Sequence, residues 1–382
     1  MKILIPGGHL TPALGFIDFV KKYHPEVEFV FVGRRFSQTK LQQMAIEHQE
    51  VKKRKVPFIE LESTRFSGDI FSILFSTFGF FKALSRSFQI LKTEKPTVLL
   101  SFGGYLAVPL AISAKLLNVP IVAHEGTTVV GKANSLIFKL ADRIAHSFPN
   151  LTNFKLSSVK DKAQLTGTPL RETIINNDRV VRPEWIKKKT NDPIVLVLGG
   201  NQGSLAINQL IKESLKSLVS DWIIVHQCGR PNKLNHYKQE LEEYAKNEKI
   251  DSNKYYVHEW IEENDLVWLY KNSFVAIARA GANTLEELIY HRVPSIFIPL
   301  PYSNFDEQLT NAKFLEEKGA SIVLNQAEAS VSTLMSCLSL VKDQREVFRK
   351  NISLINRPNP QQAASKIYDL VVTVSNNDPK KI

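Results

Sequence analysis

Three apolar runs each end in a glycine pair, and this recurrence restricts the possible folds more than any other feature of the chain. Met1 to Pro6 leads into Gly7-Gly8-His9, and Thr97 to Ser101 into Phe102-Gly103-Gly104-Tyr105. Pro193 to Leu198 leads into Gly199-Gly200-Asn201-Gln202-Gly203-Ser204. A short, unbroken apolar run bounded by glycine reads as a strand buried on both faces. A helical pattern follows each turn, over about Pro12–Tyr23, Val108–Leu117 and Ala206–Leu218. Pro12 suits a first helical turn, where its missing N–H costs nothing. Strand, glycine turn and helix in succession build a doubly wound parallel sheet, with the turns gathered at its carboxyl edge.

Further strand patterns occur at Val27–Val32, Val119–Ala123, Asp142–His146, Trp222–Gln227, Tyr255–Val257 and Val275–Ala278. The polar segment Arg179–Asp192 carries Lys187-Lys188-Lys189 and reads as a domain connection, after which the pattern restarts. A chain of 382 residues suits two domains of ordinary size. The expected fold class is therefore α/β, with two similarly wound domains facing each other across a cleft. The two cysteines, Cys228 and Cys337, have neither disulfide-framework nor metal-ligand spacing, and a reducing compartment fits them. The N-terminus has no basic segment followed by an apolar one, so no signal peptide is expected.

Net charge is +11, and residues 1–170 hold 22 basic and 12 acidic residues, nearly the whole excess. Such asymmetry favours an anionic partner for the first half. The stretch Ile70–Leu91 bears on which partner that is. Its first twelve residues include Phe71, Phe75, Phe78 and Phe80-Phe81 without a charge, and Lys82, Arg86 and Lys92 follow. The uncharged run is too short to cross a bilayer. It reads either as a buried helix or, with the basic excess, as an aromatic patch ringed by bases that seats on anionic lipid. The second is the expectation, through Phe75, Phe78, Phe80 and Phe81 with Lys82, Arg86 and Lys92.

A strand–glycine–helix turn presents backbone N–H groups and the positive end of a helix dipole, which suits phosphate. The first turn lacks GxGxxG, and Val27–Val32 ends at Gly33-Arg34-Arg35 instead of a ribose-binding acid, which disfavours a dinucleotide. Neither a Walker motif nor a DxD pair is found. Charge on a phosphorylated ligand would then be met by helix ends and bases such as Arg171, a design with no cofactor and no metal. Ala278–Asn311 gives the second half a wall for such a ligand. It reads as a small-residue turn at Gly281, a helix over Asn283–Tyr290, a strand over Pro294–Ile298 and a polar loop. Asn283 or Thr284 is expected to cap the helix, with Glu286 and Glu287 in its first turn.

The ordered set GGH at 7–9, FGGYLAVP at 102–109, HEGTTVVGKAN at 124–134, GTPLR at 167–171, GGNQGS at 199–204, RAGANTLEE at 279–287 and QLTNA at 308–312 resembles the MurG family over nearly the full length. That family adds N-acetylglucosamine (GlcNAc) to undecaprenyl-diphosphate-linked muramoyl-pentapeptide in bacterial peptidoglycan synthesis. The resemblance implies the GT-B architecture of two Rossmann-like domains, with residues 1–172 binding acceptor and membrane and 173–358 binding the UDP-sugar. Residues 359–382 would form a helix returning to the first domain, plus a tail. UDP-GlcNAc and the lipid-linked muramoyl-peptide would be the substrates, at the cytoplasmic face of the membrane, with no role for nucleic acid.

By this resemblance, His9 is the general base for the acceptor hydroxyl. Gly7, Gly8, Gly103, Gly104 and Tyr105 cradle the acceptor diphosphate, and Glu125 organises that side of the cleft. On the donor side stand Thr127, Arg171, Asn201, Gln202, Ile261 (framing uracil through its backbone), Ala282, Asn283, Thr284, Leu285, Glu286, Glu287 (accepting from ribose) and Gln308 (reading sugar hydroxyls). Asn311 would hold the last loop. The chain departs from the family in a first glycine loop about three residues shorter, in Thr127 where the family has asparagine, in Asn201 where it has serine, and in Glu307. Two other functions remain open on the sequence. One is transfer of a UDP-sugar to another lipid such as diacylglycerol; the other is a silent sugar-nucleotide-binding scaffold.

Overall fold

The computed structural model describes residues 1–38, 43–61, 70–152, 154–175, 180–187, 192–200, 202–231, 235–303 and 306–376; for 37, 38, 43, 44 and 70–78 the description is of backbone alone. The chain divides into two compact units, Met1–Glu172 with Arg357–Ile382, and Thr173–Asn356.

Unit 1 is built on β1 (Lys2–Pro6), β2 (Glu28–Gly33), β3 (Phe36–Gln38), β4 (Gln43–Met44), β5 (Phe58–Glu60), β6 (Val98–Ser101), β7 (Ile121–Glu125), β8 (Arg143–His146) and β9 (Ala163–Leu165). Apart from the small β3–β4 ribbon, these form one sheet in the order β5-β2-β1-β6-β7-β8-β9. Every neighbouring pair in it is parallel. The helices are α1 (Leu10–Tyr23), α2 (Ile46–Lys53), α3 (Ile70–Glu94), α4 (Ala107–Leu116) and α5 (Lys132–Leu140). Successive strands run outward in opposite directions from the β1/β6 pair. The turns after those two strands therefore flank a switch point, where doubly wound sheets bind ligands.

Unit 2 repeats the plan. The short α6 (Glu172–Ile175) leads into it. Its strands are β10 (Ile194–Leu198), β11 (Ile223–Gln227), β12 (Tyr255–His258), β13 (Ser273–Ala278), β14 (Ser295–Phe297) and β15 (Ser321–Val323). Their order is β12-β11-β10-β13-β14-β15, all parallel, with the switch point between β10 and β13. Around them lie α7 (Leu205–Asp221), α8 (Tyr237–Asn247), α9 (Glu263–Asn272), α10 (Ala282–Tyr290), α11 (Glu307–Glu316) and α12 (Val331–Ser353). Helix α7 buries Ile207, Ile211, Leu215 and Leu218 against Val195, Val197 and Ile224 of the sheet. That is the i, i+4, i+8, i+11 stripe of an amphipathic helix.

The last helix, α13 (Pro360–Asn376), belongs to unit 1. Its buried residues Ala364, Ile367, Leu370, Val371 and Val374 share one core with Ile3 and Ile5 of β1 and Phe16 of α1. Burying such side chains contributes roughly 1.5–3 kcal/mol each, so the end of the chain is integral to the first unit.

Candidate functional site

The glycine turns of unit 1 meet backbone to backbone. A Cβ on Gly8 would lie 1.9 Å from the Gly103 carbonyl oxygen, and one on Gly104 would lie 2.8 Å from Gly8 Cα. No side chain fits at that seam. Gly7 is buried, and its N–H donates to the Val32 carbonyl at 2.6 Å. Gly103 N–H donates to Ser101 Oγ at 3.1 Å. His9 is the N-cap residue of α1, exposed, with its ring 3.1 Å from where a Gly103 Cβ would stand. Tyr105 is half-buried beside them, and the Arg34 guanidinium lies 5.4 Å from its ring centre. The fold thus brings His9, Gly8, Gly104 and Tyr105 to one edge.

Behind that edge the carboxylate of Glu125 is enclosed. Asn134 Nδ2 donates to its Oε2 at 2.8 Å; the Thr127 hydroxyl (2.8 Å) and N–H (3.1 Å) donate to its Oε1. Burial pushes the Glu125 carboxyl above its ordinary value, with the bonds from Asn134 and Thr127 pulling the other way. Thr127 is itself 2% exposed, with its hydroxyl also 2.7 Å from the Val129 carbonyl. Both residues expected at substrates therefore face each other in the interior, and they fix the loop from Glu125 to Asn134. Next to them His124 is fully buried, its Nε2 3.0 Å from the Gly167 carbonyl and 3.2 Å from Ser147 Oγ. Burial lowers its pKa to about 4, so the imidazole stays neutral. Asn134 was not among the sequence candidates, although it closes the HEGTTVVGKAN motif at 124–134. Arg171, half-buried, ends the Gly167–Arg171 segment, whose Leu170 backbone lies against Gly15 of α1.

In unit 2 the switch point holds the turns Gly199–Ser204 and Arg279–Gly281. Arg279 ties them together: its guanidinium donates to Ser204 Oγ (2.7 Å), Gln326 Oε1 (2.8 Å) and the carbonyls of Ile298 (2.8 Å) and Pro299 (3.0 Å). Ser204 also caps α7 by accepting from Ile207 N–H. These residues too were absent from the candidates; the signal for Arg279 was a lone base inside an otherwise small-residue turn. Gln202 is exposed, and Asn201 lies outside the described residues.

The expected cap of α10 is corrected. The N-cap is Gly281, not Asn283 or Thr284, and the first helical bond runs from Leu285 N–H to the Gly281 carbonyl at 3.0 Å. Because the helix starts earlier than expected, Glu286 and Glu287 fall in its second turn, and both are 4% exposed. The N–H groups with no carbonyl one turn back are those of Ala282, Asn283 and Thr284, all half-exposed. Leu285 has a fully buried side chain and an engaged N–H. Glu287 Oε2 accepts from the Tyr270 hydroxyl at 2.7 Å.

Ile261 lies just before α9, and its N–H donates to Gln227 Oε1 at 3.0 Å. A uracil at this backbone would have to displace that side chain or use the carbonyl. Gln308 Oε1 accepts from Leu300 N–H at 3.0 Å, which leaves its amide N–H groups for a ligand. Asn311 Nδ2 donates to the Ala280 carbonyl at 3.2 Å, bracing the turn before α10.

On α3, Ala83, Ser87, Ile90 and Leu91 are buried while Phe81 (65% exposed), Lys82, Arg86 and Lys92 face solvent. Phe80 is half-buried, its ring 6.2 Å from that of Phe81; the side chains of Phe75 and Phe78 lie outside the described residues. Among the described residues no helix is long and apolar enough to cross a membrane.

Residues 6–146 match the glycosyltransferase family 28 N-terminal domain and residues 194–370 the family 28 C-terminal domain. The chain is 32% identical over 359 residues to a Clostridium botulinum (strain Langeland) protein named UDP-N-acetylglucosamine–N-acetylmuramyl-(pentapeptide) pyrophosphoryl-undecaprenol N-acetylglucosamine transferase, covering 92% of this chain and 94% of the relative. A Clostridium tetani protein of the same name is 30% identical over 357 residues, 92% of each chain. The crystal structure of Acinetobacter baumannii MurG superposes with a TM-score of 0.71 at 22% identity, over 97% of this chain and 99% of that one.

Proposed function

Since the chain belongs to the glycosyltransferase family 28 enzymes of the MurG type, with the GT-B fold, we propose that it transfers GlcNAc from UDP-GlcNAc to the C4 hydroxyl of undecaprenyl-diphosphate-linked N-acetylmuramoyl-pentapeptide, with inversion. The observation that carries this reading is the similarity over 92% of the chain to relatives bearing that name. Unit 1 takes the lipid-linked acceptor along the edge formed by Gly8, His9, Gly104 and Tyr105. Unit 2 takes the donor at the first turn of α10, with Glu287 at the ribose and Gln308 at the sugar.

His9 removes the acceptor proton. The acceptor oxygen then attacks the anomeric carbon from the face opposite UDP, the bond from that carbon to the diphosphate oxygen breaks, and UDP leaves with the electron pair. The N–H groups of Ala282–Thr284 and the positive end of α10 meet the charge on the departing diphosphate. That arrangement requires no metal ion. The enzyme works at the cytoplasmic face of the membrane, and α3 contributes to the seat. Helix α3 packs on α4 and α4 on α5, and each carries an exposed apolar side chain, Phe81, Leu116 and Leu136, together with exposed bases, Lys82 and Arg86 on α3, Lys115 on α4 and Lys139 on α5.

His9→Ala tests the assignment. A positioned general base contributes roughly 10²–10⁴-fold, so kcat should fall by about that factor while UDP binding stays nearly unchanged. Retained turnover would remove His9 from the role. UDP release confined to the muramoyl-peptide acceptor supports the substrate reading. Release with a diacylglycerol acceptor, or binding without release, would overturn it.

A further inference from the structure

Two arginines, Arg34 and Arg35, follow β2, and the first of them stands at both glycine turns of unit 1. Its backbone follows Gly33, whose Cα would lie 3.1 Å from a Cβ on Gly7. Its guanidinium reaches the second turn, where it lies over the ring of Tyr105, 5.4 Å from the ring centre. A cation–π contact of this kind holds a guanidinium in place without neutralising it. Glu47 fixes the main chain beneath it. Oε1 of Glu47 accepts from the Arg34 N–H at 2.5 Å, and its Oε2 would be 3.2 Å from a Cβ on Gly7. Burial raises the Glu47 carboxyl, while the Arg34 N–H and the Arg34 charge pull it back. Arg34 is half-buried, and among the described residues its enclosed Nε has no hydrogen-bond partner. A partly desolvated guanidinium with a bond unmade attracts an anion more strongly than one in bulk water. The first turn has few donors of its own to offer, since the Gly7 N–H is already bonded to the Val32 carbonyl.

We infer that Arg34 is a binding residue for a diphosphate at the glycine edge of unit 1, its guanidinium meeting phosphoryl oxygens there. The inference rests on the reading of that edge as the acceptor's diphosphate site. Backbone N–H groups bring only partial charges to such a ligand. A guanidinium brings a full charge and a planar fork that pairs with phosphate through two hydrogen bonds. Arg35 is placed differently. It is exposed, and its guanidinium lies over Phe36, 5.6 Å from that ring centre. It therefore serves as a control of equal charge.

The experiment is calorimetric binding of farnesyl diphosphate, farnesyl monophosphate and UDP to the full chain, to Arg34→Gln and to Arg35→Gln. The intact protein should prefer the diphosphate over the monophosphate by about tenfold or more, the value of one charged hydrogen bond. In Arg34→Gln that preference should shrink to about two- to threefold, as a neutral donor replaces the charged one. UDP binding should stay unchanged in both variants, and Arg35→Gln should keep the preference. An undiminished preference in Arg34→Gln, an equal loss in Arg35→Gln, or an equal weakening of both farnesyl ligands would overturn the role of Arg34. No preference in the intact protein, or displacement of farnesyl diphosphate by UDP, would instead overturn the reading of the unit 1 edge. If Arg34→Gln does not fold, Arg34→Lys supplies the second measurement. It keeps the charge without the fork, so the preference should fall by about threefold, and an unchanged ratio would overturn the proposal.

Discussion

Asn134→Ala should destabilise unit 1 in a way that depends on pH, because the lost amide serves a buried charge. Asn134 Nδ2 lies 2.8 Å from Glu125 Oε2, and both residues are 3% exposed. A hydrogen bond to a charged group is worth about 1.5–3 kcal/mol. For a unit of this size each kcal/mol lowers Tm by roughly 2–4 °C, so the expected loss at pH 8 is roughly 3–12 °C. The sign with pH follows from linkage. Burial already raises the Glu125 carboxyl in the folded chain, so the folded state holds its proton more tightly than the unfolded state. Its contribution is fully present below the unfolded carboxyl value, and stability falls as pH rises through the raised folded value.

The Asn134 amide pulls that value down. Removing it raises the folded pKa further and widens the window of lost stability, by about 1.36 kcal/mol for each tenfold gain in the carboxylate's proton affinity. Thermal melts of both proteins from pH 5 to pH 8 should therefore diverge as pH increases. Adding Glu125→Gln should cancel most of the divergence, since the charge that Asn134 serves is then gone. A loss of the same size at both ends of the range, surviving in the double variant, would refute the reasoning.

Two further outcomes are expected from particular contacts. Gly203 and Gly200 both have positive φ, +76° and +83°, but a Cβ on Gly203 would lie 2.1 Å from the Cys228 carbonyl oxygen while one on Gly200 has nothing within 4 Å. In urea titrations Gly200→Ala should cost about 1–2 kcal/mol, the left-handed backbone alone. Gly203→Ala should cost about 3 kcal/mol or more, adding overlap with the backbone, and equal losses would contradict the close approach. Replacing exposed Phe81 and Leu116 together by serine should weaken binding to anionic vesicles by about tenfold or more, given roughly 1.5–3 kcal/mol for each large side chain transferred. Unchanged sedimentation with vesicles would remove this face from the membrane contact.

The sequence by itself determined the winding of both units. An apolar run followed by glycine and a helix is a local pattern, and its backbone has few alternatives. Right-handed crossovers fix the hand of each connection, but the pairing of β1 with β6 and of β10 with β13, which puts the turns around Gly8, Gly103, Gly203 and Gly281 at the two switch points, is set by the assembled sheets. Only the tertiary structure decided which side chains meet there and which bonds they already make. Arg279 finds Ser204 and Gln326 across 75 and 47 residues, and no local pattern encodes such pairings. Thr127, identified by resemblance as a donor contact, is turned inward by the demand of the buried Glu125 for hydrogen bonds. Asn134 meets the same demand. The start of α10 at Ala282, and with it the position of Glu287 opposite Tyr270, depends on whether the Gly281 carbonyl can close the first helical turn. Sequence signals for caps leave that to the surrounding backbone. Local periodicity is therefore enough to locate the ligand edges, whereas the chemistry at those edges depends on satisfying buried polar groups with partners distant in the chain.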